Sequence, residues 1–432
     1  MLTSPFLTAL DDRAYVKTSR DPLGLQSIWA RFGRHVVGNL TTVTSSLRDF
    51  MVLLLGADLV ERIVMEQGPE AELDAFLRWE QVAAYARVQV HDEEGVRGGR
   101  RVKRFLDEGR GRVEISAARE RQILGNQAMY GIWGMYTATA RASGLLDPHA
   151  FRLTPAGREL VEGEYHPRLA KRGAPIEALE RIVARPSFAL AVEGRHQDLV
   201  AAVADVLGPR VRVGERTVYR RHLLEGGPED RTQGRQAALV RLLESVESTQ
   251  PLSPALFVHL AKRASEAGDE GLAGKLARIR VCESLLAPMW QLFAFVLTAD
   301  GQTVDEVGEH IGRAWGAVET IDLEAVRAIE GELGQSGPGV GERLFGIAEA
   351  LVRGDHARAV EGLVAQNTWV MSNRGGAAWV AIEDGRLRVR VEEETAADLS
   401  PRDDLASLWR FPYFIDSLRA LMRAIGPAEE DR

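Results

Sequence analysis

Between Arg97 and Arg104 the chain reads Arg-Gly-Gly-Arg-Arg-Val-Lys-Arg, crowding Arg97, Arg100, Arg101, Lys103 and Arg104 together. Guanidinium and ammonium groups at this density suit one chemistry: they neutralise phosphates, each contact adding salt-dependent affinity. Arg119 and Arg121 follow shortly after, and Arg152 lies further on. From Gly95 to Arg172 there are fifteen Arg or Lys against eight Asp or Glu, so the segment carries +7 within a chain of net charge −8. A basic module inside an acidic protein points to a local anionic partner and argues against a protein that coats nucleic acid everywhere. A solvated connection between domains is the alternative for the basic run itself. Arg216-Thr-Val-Tyr-Arg-Arg-His222 is a second basic-aromatic patch, for which an ordinary helix face is the simpler reading.

Other chemistries leave no trace in the residue pattern. The nine histidines are scattered, and no two stand at the i, i+4 spacing of a helical zinc site. There is no His-Glu-x-x-His, no Gly-x-Ser-x-Gly and no dinucleotide fingerprint. Gly334-Gln-Ser-Gly-Pro-Gly-Val-Gly341 lacks the Gly-Lys-Ser/Thr ending of a phosphate-binding loop. Cys282 is the single cysteine, which excludes an intrachain disulfide and a cysteine metal cluster. No catalytic residue, metal ligand or cofactor is therefore assigned. A carboxylate metal site assembled from scattered Asp and Glu is the enzymatic alternative.

The elements that must position the basic residues read as mainly helical. Leu25, Ile28, Trp29, Phe32 and Val36 recur at helical spacing, and further helices are expected over 44–55, 58–66 and 69–88. Residues 91–114, rich in glycine and charge, are expected to form a loop or short hairpin. A helix from Ala128 to Ala142 should end at Ser143-Gly144 in a left-handed cap. Leu145-Leu146, the turn Asp147-Pro148-His149 and Phe151-Arg152-Leu153 then make two short strands, and Thr154-Pro155 starts a new helix. Residues 251–365 read as helices joined by short turns, with Pro288 breaking one of them. Asp384-Gly385 marks a hairpin within 378–391, onto which a helix over 412–425 should dock. Residues 1–22 read as irregular, and the end from Pro427 should fray.

Gly144-Leu-Leu followed by Leu153-Thr-Pro-Ala-Gly-Arg-Glu-Leu160 resembles the wing region of bacterial winged helix-turn-helix proteins, over residues of about 115–165. The resemblance implies that Ala128–Ala142 is a recognition helix. Its own residues suit base reading poorly, because Met129, Tyr130, Trp133 and Tyr136 dominate and Arg141 is its only charge. An aromatic and methionine face suits a protein interface instead.

Four blocks are expected: an N-terminal helical domain (1–90), a basic loop with a winged helix (91–172), a helical domain (173–365) and a hairpin-helix subdomain (366–432). The longest apolar run, Met51–Ala57, is far too short for a membrane span, and without a secretory signal the cytoplasm is expected. In build the chain is similar to accessory subunits of bacterial anti-phage defence operons. The expected function is thus a non-catalytic subunit that assembles with other proteins and touches double-stranded DNA without reading its sequence. A DNA-binding transcriptional regulator is the principal alternative.

Overall fold

A computed structural model describes residues 21–91, 94–391 and 398–427; the expectations of an irregular start and a frayed end fall outside the described residues. Two compact units gather stretches that are distant in the chain. Unit 1 holds the residues up to Val36 together with Thr249–Tyr413, and unit 2 holds Val37–Ser248 together with the chain from Phe414. Both are mainly helical, and among the described residues each holds one short antiparallel strand pair.

Helix α1 (Leu25–Arg34) belongs to unit 1 and buries the face its spacing predicts, Leu25, Ile28, Trp29 and Phe32. Unit 2 then begins with α2 (Leu47–Gln67) and α3 (Glu72–His91), which pack on each other. Gly56 permits the approach: a Cβ there would lie 2.4 Å from Trp79 Cδ1 and 2.7 Å from Phe76 Cε2. Trp79 Nε1 in turn donates to Val52 O at 2.8 Å, so the indole is buried without a stranded polar group. Next come α4 (Gly99–Glu108), β1 (Arg112–Ser116), α5 (Gln127–Tyr130), α6 (Ile132–Ala142), α7 (Pro155–Leu160), α8 (His166–Lys171) and α9 (Ile176–Val183). Strand β2 (Ser187–Ala191), α10 (Gln197–Val206), α11 (Val213–Tyr219) and α12 (Arg235–Glu244) complete this stretch.

The local signals around residue 144 are realised. Gly144 sits at φ +70 after α6, and Thr154 caps α7 through a 3.2 Å bond from Gly157 N. The strand pair of a wing is reduced to the single bridge Leu146↔Leu153. Strand β1 pairs with β2, from Arg112↔Ala191 to Ser116↔Ser187, and not with this bridge. A polar hub closes the same region. Buried Asn39 donates to Ser143 Oγ and His222 O, both at 2.9 Å, and accepts from Gln236 Nε2 at 2.9 Å.

Unit 1 resumes with α13 (Pro254–Glu266) and α14 (Glu270–Val296), packed as a pair, then α15 (Val304–Trp315), α16 (Leu323–Gly334), α17 (Val340–Arg353) and α18 (His356–Asn373). Pro288 lies inside α14, which runs through it unbroken. By length and composition α14 could cross a membrane, but 72% of its most apolar stretch is buried. Strands β3 (Val380–Glu383) and β4 (Arg386–Val389) form the expected hairpin, with Asp384 and Gly385 both at positive φ. The hairpin packs on α18, where Asn367 Oδ1 accepts the Trp379 N–H at 2.8 Å. The last helix, α19 (Ile415–Ile425), is part of unit 2, where it packs on the Arg220–Leu224 turn that follows α11 and on α2.

Tyr413, within the helix expected over 412–425, instead joins Trp409 in the aromatic core of unit 1. Trp409 stacks on Phe257 at 4.3 Å, and Tyr413 meets Trp29 edge-on at 6.1 Å. Beneath them Glu283 of α14 is fully buried. Its Oε1 accepts the N–H groups of Arg410 and Phe411, and its Oε2 accepts the Tyr413 hydroxyl at 2.7 Å. Burial outweighs these bonds and lifts the carboxyl to about 7.

Candidate nucleic-acid interface

The basic run forms a helix and not the expected loop. Val102 and Leu106, one turn apart, are buried and anchor α4, which leaves Arg100, Lys103, Arg104, Asp107 and Glu108 on the outer face. Gly98 caps the helix at φ +72, and a Cβ there would stand 2.3 Å from Ile123 O. Gly98, one of the glycines that suggest a flexible connection, is thus demanded by a close approach to the segment before α5.

The cations of the run divide sharply in their surroundings. Arg97 is built into the interior of unit 2. It shares buried Asp49 with Arg87: Arg97 Nε lies 3.2 Å from one carboxylate oxygen and Arg87 Nη1 2.9 Å from the other. Arg97 also donates to Val43 O at 2.9 Å and lies 5.2 Å from the Tyr136 ring. Its charge ties the loop before α4 to α2, so Arg97 is removed from the set of phosphate-contacting residues. Arg101 and Arg104 rest against the Phe105 ring at 5.2 and 5.3 Å. Arg101 Nη2 reaches Glu120 O at 3.4 Å, whereas Arg104 is exposed and only loosely paired with Glu108 at 3.8 Å.

Arg100 and Arg119 are exposed and make no ion pair among the described residues. The same holds for Arg110 and Arg112, at the start of β1, which the residue pattern did not single out. Arg121 pairs with Glu114 at 2.7 Å, both about half exposed. Arg152 pairs with Asp147 at 3.2 Å at the tip of the turn. Asp147 also accepts the N–H groups of His149 and Ala150, and these bonds, with Arg152, hold its carboxyl down at about 2.

The aromatic helix is a core element, interrupted at Gly131 between α5 and α6. Tyr136 is fully buried, 4.9 Å from Phe50, with its oxygen accepting the Ser46 N–H at 3.2 Å; it belongs to the core and not to an exposed face. Trp133 is half-buried against Phe151 at 4.0 Å and Phe76 at 5.3 Å. Met129 and Tyr130 alone of the four stay exposed, each at 55%. The Gly131 break has a polar purpose. A Cβ there would lie 2.7 Å from both Glu80 carboxylate oxygens, and its absence lets Ile132 N donate to Glu80 Oε1 at 2.7 Å. Burial raises Glu80 to about 7, opposed by that bond and by Gln127 Nε2 at 2.8 Å.

Asp49, Glu80 and Arg87 are polar anchors that periodicity hides, since each interrupts a helix of apolar residues as a surface residue would. Tyr219 of the second basic-aromatic patch is likewise buried, its hydroxyl 2.5 Å from that of Tyr165, which removes it as a stacking platform. Among the described residues no three His, Cys, Asp or Glu side chains converge as a metal site would require. Compared with family models, curated proteins and solved structures, the chain finds no match.

Proposed function

We propose that unit 2 holds a nucleic-acid backbone against the outer face of α4 and its flanks, as the contact of a non-catalytic subunit that also docks on protein. One observation carries this reading: Arg100, Arg110, Arg112 and Arg119 are exposed cations without an ion-pair partner among the described residues. Arg104 adds a fifth charge whose weak surface pair yields readily to phosphate. Met129 and Tyr130 supply the exposed apolar contact that a protein partner would cover. Sequence-specific regulation is the weaker reading, because α6 spends its aromatic side chains on Phe50, Phe76 and Phe151 and offers no outward row of base-reading groups.

The test is fluorescence anisotropy with random duplex DNA at 50 and 200 mM salt. Four to five phosphate contacts give a salt slope of about −4 and an affinity loss of a few hundredfold over that range. Replacing Arg100, Arg104, Arg112 and Arg119 by glutamine should flatten the slope by roughly three to four while leaving the far-ultraviolet circular dichroism unchanged. Absence of binding at 50 mM salt, or a variant that binds as its parent does, refutes the proposal. A single duplex preferred over random DNA by a hundredfold would return the regulator reading.

A further inference from the structure

Unit 2 contains a cavity of about 480 Å³ between α12 and α19, remote in sequence from the basic run. Its walls combine apolar surface, from Leu243, Val246 and Met422, with the arginines Arg220, Arg419 and Arg423. The three arginines are not equivalent. Arg220 is neutralised by Glu244 and by Glu225 at 3.6 Å. Arg419 has only 8% of its surface exposed and has no ion-pair partner among the described residues. It donates Nη2 to Glu247 O at 3.0 Å and Ser248 O at 2.9 Å. Arg423, one turn later and exposed, gives Nη1 to the same Ser248 carbonyl at 3.1 Å and also has no ion pair among the described residues.

Two guanidinium groups thus converge on one carbonyl with no carboxylate bound to either. Burial, and then the charge of Arg423, push the Arg419 pKa down, while Asp416 opposes them from a distance at which it forms no ion pair. Sequestering a cation without a counter-charge is costly, and like charges one helical turn apart add to the cost. The remaining N–H donors of both side chains have no protein acceptor among the described residues. A planar guanidinium presents them as a fork matched to an oxyanion.

We infer that this cavity binds a small organic anion, one carboxylate or phosphate head on an apolar body, with the head on Arg419 and Arg423 and the body along Leu243, Val246 and Met422. Neither half of the site is sufficient alone. Phosphate would leave the apolar wall wet, and a neutral amphiphile would leave the buried charge unmet.

Isothermal titration of the full chain decides the matter with four probes: octanoate, octyl phosphate, 1-octanol and inorganic phosphate. One or both of the amphipathic anions should bind, at least tenfold more tightly than octanol or phosphate, and should raise the melting temperature. Which anion wins assigns the head group. Arg423→Gln, at an exposed position that spares the fold, should weaken binding tenfold or more, and Arg419→Gln should abolish it. Arg241→Gln, at an exposed residue of α12 outside the cavity, should leave it unchanged. Octanol binding as tightly as octanoate, no binding of either anion, or unaltered affinity in Arg423→Gln would overturn the proposal. The chain itself continues Glu429-Glu430-Asp431 beyond Pro427. Binding that appears only when these three become Gln, Gln and Asn would make the chain's own acidic end the anion and would equally overturn it.

Discussion

Glu283→Gln is a perturbation whose consequence can be worked through in advance. The carboxyl titrates at an ordinary 4.5 when exposed and at about 7 in its buried site on α14. Between those two values the folded state holds a proton that the unfolded state has released, so stability falls as the pH rises. Below 4.5 both states are protonated and above 7 both are ionised, and the contribution is flat at either end. At about 1.4 kcal/mol per pH unit, the full loss from pH 4 to pH 8 is roughly 3 kcal/mol. Glutamine reproduces the favoured form without a titrating proton. Its oxygen can accept the N–H groups of Arg410 and Phe411, and its amide can donate to the Tyr413 oxygen. Urea unfolding of both proteins, followed by tryptophan fluorescence at pH 5, 6, 7 and 8, should show the variant gaining on its parent as the pH rises. Most of that gain, of the order of 2 to 3 kcal/mol, should fall between pH 5 and pH 8. Glu80 titrates alike in both proteins, so the difference isolates Glu283. Parallel stability curves, or a variant that loses ground at pH 8, would refute the assignment of burial as the dominant influence.

Three further substitutions test the packing of unit 2. Gly56→Ala places a Cβ 2.4 Å from Trp79, so the α2–α3 contact must open and the denaturation midpoint should fall by the equivalent of about 1 to 3 kcal/mol. Asp49→Ala removes the shared counter-charge of Arg87 and Arg97 and should cost about 3 to 5 kcal/mol in urea unfolding. A smaller effect would mean that the two arginines find water. Asn39→Ala strands the Gln236 amide and the Ser143 hydroxyl at a buried junction, and a loss of about 2 to 3 kcal/mol in the same assay is expected.

How far the residues disclosed this structure depends on how local the cause of each element is. Caps and turns were legible because one or two side chains determine them: Thr154-Pro155, Gly144 and Asp384-Gly385 all do what their chemistry demands. The helix α4 was missed because its two anchors, Val102 and Leu106, are outnumbered by glycines and cations, and the reason for Gly98 lies at Ile123. Tyr136 and Trp133 read as interface, since nothing in their own helix reveals Phe50 and Phe76 opposite. Arg97 could not be told from Arg100, because only the folded position of Asp49 separates them. The cavity beside Arg419 joins residues from opposite ends of unit 2, and the fact that matters there, a missing carboxylate, has no counterpart in any motif.

The threading of the chain has a consequence for biosynthesis. Unit 1 needs α1 and helices that emerge more than two hundred residues later: Asn367 Nδ2 donates to Pro22 O at 2.9 Å across 345 positions. Unit 2 is in turn completed only by α19, which the ribosome releases after unit 1 has been made. Neither unit is a single contiguous stretch of chain, so expression of one unbroken segment of either as a "domain" would leave apolar helix faces without their lids. During synthesis the amphipathic α1 stays without its partner until α14 has emerged, more than two hundred residues later, and its apolar face is exposed for that interval. Contacts of this sequence separation also slow the final assembly step, because loop closure must precede the burial that rewards it.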